Sequence, residues 1–204
     1  MNIQHKQPLL LESISSTPGS DKLKTFTSPR LIQTARLQLR PWLPTDLAPF
    51  AALNADPEVA RYFPAPLSRE QSDAMAQRCQ ALIIERGWGL WAAETLENRK
   101  FIGMIGLHIP SAALPFAPCV EIGWRLASAH WGKGYATEGA QAALELAFTA
   151  IDLTEVVSFT SIHNLRSERV MQRIGMQREA GTFAHPSVDA DSWLSEHCLY
   201  KIQR

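Results

Sequence analysis

Residues 131–138, which read Trp-Gly-Lys-Gly-Tyr-Ala-Thr-Glu, constrain the fold of this chain more than any other segment. The apolar run Val120–Leu126 precedes them and predicts a strand. Apolar residues recur at helical spacing after them, at Ala140, Leu144, Ala147, Phe148 and Ile151. The sequence therefore predicts a strand, a glycine-containing turn and a helix in direct succession. We call residues 131–138 the glycine turn.

The glycine turn has the features of an anion-binding site. The first turn of a helix leaves main-chain N–H groups without partners, and the helix dipole adds partial positive charge there. Phosphate or pyrophosphate suits such a site best, and Gly132 and Gly134 allow a ligand to approach the main chain closely. Lys133 either adds Coulomb attraction to a phosphate or is a solvated surface lysine.

Two common phosphate-binding motifs do not fit the glycine turn. The P-loop needs Ser or Thr directly after its lysine, whereas Lys133 is followed by Gly134. The dinucleotide-binding fingerprint needs a third glycine where this chain has Thr137. A phosphate ligand of another kind is therefore indicated, although a plain turn remains an alternative for a lone Gly-x-Gly.

Two segments together carry a resemblance to a known family. Residues 121–126 and the glycine turn resemble the acetyl-CoA-binding segment of the GNAT N-acetyltransferase superfamily, most closely the branch of the ribosomal-protein-alanine N-acetyltransferases. Residues 161–176, which contain Asn164, Ser167 and Gly175-Met176, resemble a second segment of that family at the expected distance downstream. The resemblance covers residues 31–204.

The resemblance implies the fold and the donor. It implies an α+β (mixed α/β) domain with a central, mostly antiparallel, splayed sheet flanked by helices. It also implies acetyl-CoA as co-substrate, with its pyrophosphate held by main-chain N–H groups from Trp131 through Ala136. Trp131 departs from the family, which usually has Gln or Arg there. The cofactor-binding residues implied in this way are Leu126, Trp131, Gly132, Lys133, Gly134, Tyr135, Ala136, Thr137, Asn164 and Ser167.

Acetyl transfer needs a neutral amine, a fixed thioester and stabilisation of the oxyanion and the leaving thiolate. Glu121 is the candidate general base, because a carboxylate in a cleft can accept the proton of an ammonium. Its alternative role is structural, bonded to a neighbouring strand or to Arg125.

The proton donor to the thiolate is less clear from the sequence. Many members of the family carry a Tyr general acid where this chain has Met171, which cannot donate a proton. Ser167, a water molecule or direct release of the thiolate could replace it. Asn164 is a candidate helix N-cap, a contact to the coenzyme arm, or both.

The sequence thus predicts an acetyl-CoA-dependent N-acetyltransferase in which a primary amine, such as a protein N-terminal amine, attacks the thioester directly. Arg61, Tyr62 and Phe63 lie where the family forms its acceptor wall. Two alternatives stay open at this point: a CoA-binding sensor or scaffold without transferase activity, and a phosphotransferase that binds nucleotides. A covalent route through Cys119 is disfavoured, because no activating base is visibly paired with it.

Composition limits the partners. Lys and Arg together number 20, as do Asp and Glu, so neither nucleic acid nor an anionic membrane is expected. No run of apolar residues is long enough to span a membrane. The scattered cysteines fit a reducing, cytoplasmic location, and the histidines show no metal-binding spacing. We expect a monomer or homodimer.

The remaining pattern predicts the order of elements. Residues 1–30 are rich in Ser, Thr, Pro and Lys and predict a poorly ordered extension, followed by a single domain over residues 31–204. Predicted strands occupy residues 31–42, 88–94, 100–107, 156–160, 177–183 and 195–202. Predicted helices begin at Asp46, at Asp56, at Ser68 with Gln71 as a capping box, and at Asn164.

Overall fold

A computed structural model describes residues 23–110 and 114–204 of the chain. Its strands are β1 (Ile32–Gln33), β2 (Leu37–Arg40), β3 (Leu90–Thr95), β4 (Phe101–His108), β5 (Glu121–Leu126), β6 (Glu155–Ser161), β7 (Gln177–Arg178), β8 (Phe183–Ala184) and β9 (Glu196–Gln203). Its helices are α1 (Leu47–Ala55), α2 (Pro57–Ala60), α3 (Arg69–Arg86), α4 (Tyr135–Leu146) and α5 (Leu165–Arg173). The mixed α/β class predicted from the sequence is confirmed.

All these strands join one nine-stranded sheet in the order β1-β2-β3-β4-β5-β6-β9-β7, with β8 added on β9. Every neighbouring pair is antiparallel except β5 and β6, which run parallel. Within the described residues, that parallel pair has the single register pair Glu121↔Val157. Beyond this pair the two strands diverge, so the sheet is splayed at its centre.

The first predicted strand is two strands in the structure. Thr34 forms a turn between β1 and β2, since its main-chain N–H donates to the carbonyl of Leu37 and its hydroxyl oxygen accepts from the N–H of Leu37. The alternation of apolar residues over 31–42 could not reveal this reversal, because the residues on both sides of the turn have strand-like patterns. The last predicted strands are likewise divided, into β7, β8 and β9.

The predicted start and end of α3 and the predicted start of α5 are confirmed. Ser68 and Gln71 form the expected capping box of α3, and Gly87 ends that helix in the left-handed conformation at φ 81°. Asn164 caps α5 by accepting from the N–H of Ser167. Asp46 precedes α1, but its carboxylate binds Arg40 and the N–H of Leu43 rather than capping the helix.

The helices cover the sheet on both faces. Helix α4 lies against β4 and β5, and Gly139 allows this approach because a β-carbon there would lie 2.5 Å from Ile105 Cδ1. Helices α1 and α3 pack together and contact β4 and β3, respectively. The glycine turn is therefore fixed by a helix that is anchored on the central strands.

Residues 23–30 lie against α3 and β3. The indole N–H groups of Trp88 and Trp91 donate to the carbonyls of Lys24 and Arg30, respectively, and the main-chain N–H of Phe26 donates to the carbonyl of Arg86. Residues 1–22, the rest of the predicted extension, lie outside the described residues. The domain boundary at residue 30 stays a prediction.

Among the helices of the described ranges, none is long and apolar enough to cross a membrane. The same ranges contain no group of three or more His, Cys, Asp or Glu side chains arranged to hold a metal ion.

Candidate active site

The glycine turn presents a row of free main-chain donors. Gly132 and Gly134 both adopt the left-handed conformation, at φ 75° and 82°, and Gly134 is the N-cap of α4. In the part of the chain that the structure describes, the main-chain N–H groups from Gly132 to Thr137 donate no hydrogen bond. The N–H of Trp131, expected to belong to this row, instead donates to the carbonyl of Ser128 at 3.1 Å. Because unpaired main-chain donors beside a helix start attract anions, this geometry fits a pyrophosphate.

Arg36 holds the glycine turn from outside. Its guanidinium donates to the carbonyl of Lys133 at 2.9 Å and lies 4.7 Å from the centroid of the Tyr135 ring. It also pairs with Glu138, with Nη2 and Nε both 2.6 Å from Oε2. These contacts fix the Lys133 carbonyl toward Arg36. Arg36 was not predicted as part of this site, because nothing in the sequence near it indicates a partner in the glycine turn.

Glu138 closes the same network. Its Oε1 accepts from the hydroxyl of Thr34 at 2.6 Å and from the main-chain N–H of Arg36 at 2.8 Å. Burial alone would raise the pKa of this carboxyl, but the hydrogen bonds from Thr34 and Arg36 outweigh it and lower the pKa below its ordinary value. Glu138 is therefore a charged anchor that joins the β1–β2 turn to the first turn of α4.

The end of β5 adjoins this site. The side chain of Leu126 is buried, and its carbonyl accepts from the indole N–H of Trp131 at 2.8 Å. The guanidinium of Arg166 stacks on the same indole, 4.8 Å from its centroid, so the glycine turn contacts the start of α5. Trp131, where the family has Gln or Arg, thus bridges the two sides of the splay.

Asn164 and Ser167 lie at the start of α5, on the other side of the splay. The side-chain amide of Asn164 donates to the hydroxyl oxygens of Thr160, at 3.0 Å, and Ser167, at 3.2 Å. Among the described residues, the hydroxyl proton of Ser167 has no acceptor. Met171, one helical turn further on, is 1% exposed and belongs to the core. The arrangement leaves Ser167 able to donate a proton and Met171 unable to do so.

Glu121 is bound to a neighbouring strand and not to Arg125. It is the first residue of β5 and lies directly opposite His108, the last residue of β4. His108 Nε2 is 2.7 Å from Glu121 Oε2, and both side chains are largely buried. No local sequence pattern marks His108 as a partner of Glu121, so this pair was not predicted from the sequence.

Arg125 has a different environment. It is 8% exposed, donates to Asn54 Oδ1 at 2.7 Å and lies 3.8 Å from the centroid of the Phe63 ring. Its Nε has no hydrogen-bond partner among the described residues, and burial lowers its pKa to about 10. Phe63, a residue of the expected acceptor wall, therefore covers a buried cation.

The rest of the expected acceptor wall meets a second loop. The ring of Tyr62 lies 6.2 Å from that of Trp193, and Trp193 lies 5.2 Å from the ring of His163, which directly precedes Asn164. Trp193 is 55% exposed. It comes from the loop between β8 and β9, so only the folded chain could reveal that it adjoins the start of α5.

Cys119 is unsuited to act as a nucleophile. Burial, reinforced by the charges of Glu121 and Glu155, raises the pKa of its thiol to about 12. Since the thiolate is the reactive form, the thiol is almost entirely unreactive near neutral pH.

A splayed sheet with free main-chain donors beside the splay is an arrangement that suits an extended, phosphate-bearing ligand. A family profile described as "Acetyltransferase (GNAT) domain" matches residues 36–177, so the chain belongs to the GNAT acetyltransferase family. It is an acetyl-CoA-dependent acyltransferase. The main-chain N–H groups from Gly132 to Thr137 fit the pyrophosphate of that co-substrate, because they are unpaired among the described residues.

Individual relatives agree with this assignment. The chain is 29% identical over 151 residues to the uncharacterized N-acetyltransferase YoaA of Bacillus subtilis, covering 73% of this chain and 84% of the relative. An acetyltransferase structure from Agrobacterium tumefaciens matches with a TM-score of 0.70 and 27% identity, covering 88% of this chain and 97% of that one. The ribosomal-protein-S5-alanine acetyltransferase of Vibrio fischeri shares the fold, with a TM-score of 0.67 and 16% identity over 85% of this chain and 96% of that one.

Proposed function

We propose that this protein transfers the acetyl group of acetyl-CoA to a primary amine by direct attack, and that the acceptor is a protein N-terminal amine. The observation that carries the proposal is the row of unpaired N–H groups from Gly132 to Thr137, which lies beside the splay between β5 and β6. A pyrophosphate on these donors would direct the pantetheine arm into the splay.

The splay offers main-chain partners for that arm. Since β5 and β6 diverge after the pair Glu121↔Val157, the edge of β5 toward Leu126 has no neighbouring strand on that side among the described residues. The amide groups of pantetheine can pair with such an edge as a strand would. Leu126 and the start of α5 at Asn164 would then flank the thioester.

The proton balance can be met by two side chains. Glu121 would accept a proton from the substrate ammonium, directly or through water, which frees the nitrogen electron pair to attack the thioester carbon. After attack, the C–S bond breaks, the nitrogen gives its second proton to the Ser167 hydroxyl, directly or through water, and the proton on Glu121 passes to solvent. Ser167 would relay a proton to the leaving sulfur, consistent with its hydroxyl proton having no acceptor among the described residues. The products are the amide and CoA thiol.

Three observations support a peptide acceptor. Tyr62 and Trp193 offer aromatic surface beside His163, and aromatic side chains with few charges suit an extended peptide better than a polycation. The fold is shared with the ribosomal-protein-S5-alanine acetyltransferase of Vibrio fischeri. The balanced charge of the whole chain gives no general attraction for a polycation.

A panel of amines tests the proposal. Purified protein and acetyl-CoA are incubated with pentapeptides that begin with Ala, Ser or Met, with free amino acids, with spermidine and with an aminoglycoside. Thiol release and product mass are then measured. We expect acetylation of the peptide α-amine, with an Nα-acetylated peptide as a control that is not modified. Acetylation confined to the small amines would overturn the peptide acceptor while leaving the transfer reaction in place.

One observation favours a second function, that of a CoA-binding sensor or scaffold. Met171 fills the position of the usual acid and is buried at 1% exposure. Acetyl-CoA binding by calorimetry, without thiol release for any amine of the panel, would support the sensor. Absence of acetyl-CoA binding would contradict both functions.

A further inference from the structure

The pair formed by His108 and Glu121 is built into the sheet. The two residues are Cα partners in the antiparallel ladder of β4 and β5, so their side chains lie on the same face. The contact between His108 Nε2 and Glu121 Oε2 is 2.7 Å, and the side chains are only 18% and 12% exposed. In a hydrogen bond at this contact, with Glu121 ionised, His108 Nε2–H is the donor and Glu121 Oε2 the acceptor.

The contact with His108 makes the environments of the two carboxylate oxygens of Glu121 different. Oε2 is bound to His108, whereas Oε1 has no hydrogen-bond partner among the described residues. The space beside Oε1 is open toward Gly123: apart from the adjacent residues of the chain, a β-carbon built at Gly123 would have Oε1, at 3.9 Å, as its one neighbour within 4 Å among the described residues. Gly123 is two residues along the same strand, toward Leu126, and it leaves room for an amine or a water next to Oε1.

Cys119 is a titratable group near Glu121, whose charge acts on its thiol. Its thiol stays protonated, because its pKa is raised to about 12 by burial and by the charges of Glu121 and Glu155. Arg125, which shares the face of β5 with Glu121, is bound to Asn54 and stacked on Phe63. His108 is therefore the group that fixes the orientation of the Glu121 carboxylate.

We infer that His108 is a positioning residue for the proposed base, and that it holds Oε2 of Glu121 so that Oε1 faces the open space over Gly123. This inference rests on the proposed function. In the proton transfer, an N–H bond of the substrate ammonium breaks and an O–H bond forms at Oε1, while the electron pair stays on nitrogen. The bond from His108 to Oε2 persists throughout, so the carboxylate does not rotate away from the acceptor.

Two substitutions at His108 test whether its hydrogen-bond donor or only its volume matters for the orientation of Glu121. His108→Gln keeps an N–H donor at the end of a side chain of similar length, whereas His108→Leu keeps the volume without a donor. We expect kcat for the acetylation of an N-terminal-Ala pentapeptide to fall at least tenfold in His108→Leu and to be largely restored in His108→Gln. The affinity for acetyl-CoA, measured by calorimetry, should change less than twofold in both.

The double variant gives the sharper readout. If His108 acts through Glu121, then His108→Leu combined with Glu121→Gln loses no more rate than Glu121→Gln alone. Additive losses, or a full rate in His108→Leu beside an impaired Glu121→Gln, would overturn the inference and leave the proposed function standing. A full rate in Glu121→Gln would instead remove Glu121 as the base.

An NMR measurement that needs no peptide substrate tests the contact between His108 and Glu121 even if the activity assay fails. In long-range ¹H–¹⁵N spectra of the unmodified protein, His108 should carry its hydrogen on Nε2. In Glu121→Gln, its ring nitrogen shifts should move. A hydrogen on Nδ1 alone, or shifts insensitive to Glu121→Gln, would contradict the inference even if no peptide is turned over.

Discussion

Arg36 and Glu138 are 102 residues apart in the sequence, yet Arg36 Nη2 and Glu138 Oε2 lie 2.6 Å apart at the start of α4. Their network reaches the carbonyl of Lys133 and the hydroxyl of Thr34. A hairpin at the edge of the sheet thereby fixes the turn that is proposed to bind pyrophosphate.

The strength of this pair can be measured by a double-mutant cycle with Arg36→Ala and Glu138→Ala. We expect a coupling free energy of unfolding of about 1–2 kcal/mol, because several hydrogen bonds converge on one partly buried carboxylate. The pair Arg69–Asp73 in α3 is a matched control, since it is an i,i+4 contact on an exposed surface and should give about 0.3–0.5 kcal/mol. Equal coupling in the two cycles would show that the network adds nothing beyond a surface ion pair.

Gly134→Asp should weaken acetyl-CoA binding. The substitution places an anion against the proposed pyrophosphate position, and we expect Kd to rise at least tenfold, about 1.4 kcal/mol. Gly181→Asp is the control, because Gly181 has nearly the same left-handed conformation, φ 79° against 82°, and open space around it. Both variants should lose comparable stability, so calorimetry that shows the same loss of affinity in both would remove the glycine turn from the binding site.

Cys119→Ser should leave kcat within about twofold of the parent enzyme. With a thiol pKa of about 12, roughly one Cys119 in 100,000 is ionised at pH 7, which cannot sustain a covalent route. Intact-protein mass spectrometry after mixing with acetyl-CoA should show no acetylated enzyme. An acetyl adduct that disappears in Cys119→Ser would establish a two-step reaction.

The stability of the fold should fall in mild acid through His185. This ring lies among Phe159, Phe183 and His197, and burial together with His197 lowers its pKa from 6.5 to about 4. Between these values the unfolded chain binds a proton that the folded chain does not, so stability is retained above pH 6.5 and lost as the pH falls toward 4. The loss is about 3 kcal/mol at most. Chemical denaturation of His185→Phe from pH 7 to 4 should give a shallower decline, and an unchanged slope would place the acid sensitivity elsewhere.

The features that depend on a few neighbouring residues, such as helix caps and helix ends, were predicted from the sequence. The capping box at Ser68 and Gln71, the helix end at Gly87 and the N-cap at Asn164 are encoded within a few residues, and the structure confirms them. The strand, glycine turn and helix around Gly134 were also predictable, because each depends on periodicity or on glycine conformation.

Contacts between distant segments were not predictable. Arg36 precedes β2, and Glu138 is the last residue of the glycine turn, which comes after β5. The two residues meet only in the folded sheet, whose order is β2-β3-β4-β5. His108 meets Glu121 through the register of β4 and β5, and a shift of one residue would place the two side chains on opposite faces. Trp193 reaches His163 from a loop that precedes β9. The same limit explains why the splay at Val157 had to be carried over from the family resemblance.

The splay also has a mechanical consequence. Because β5 and β6 share one register pair, the strands from β6 onward are joined to the rest of the sheet by little main-chain bonding. Acetyl-CoA bound between β5 and β6 would add reversible contacts that hold the two halves of the sheet together. Amide hydrogen exchange along β6 and β9 should therefore slow when acetyl-CoA is added, and the rigidity of this half of the molecule would follow the supply of the acyl donor.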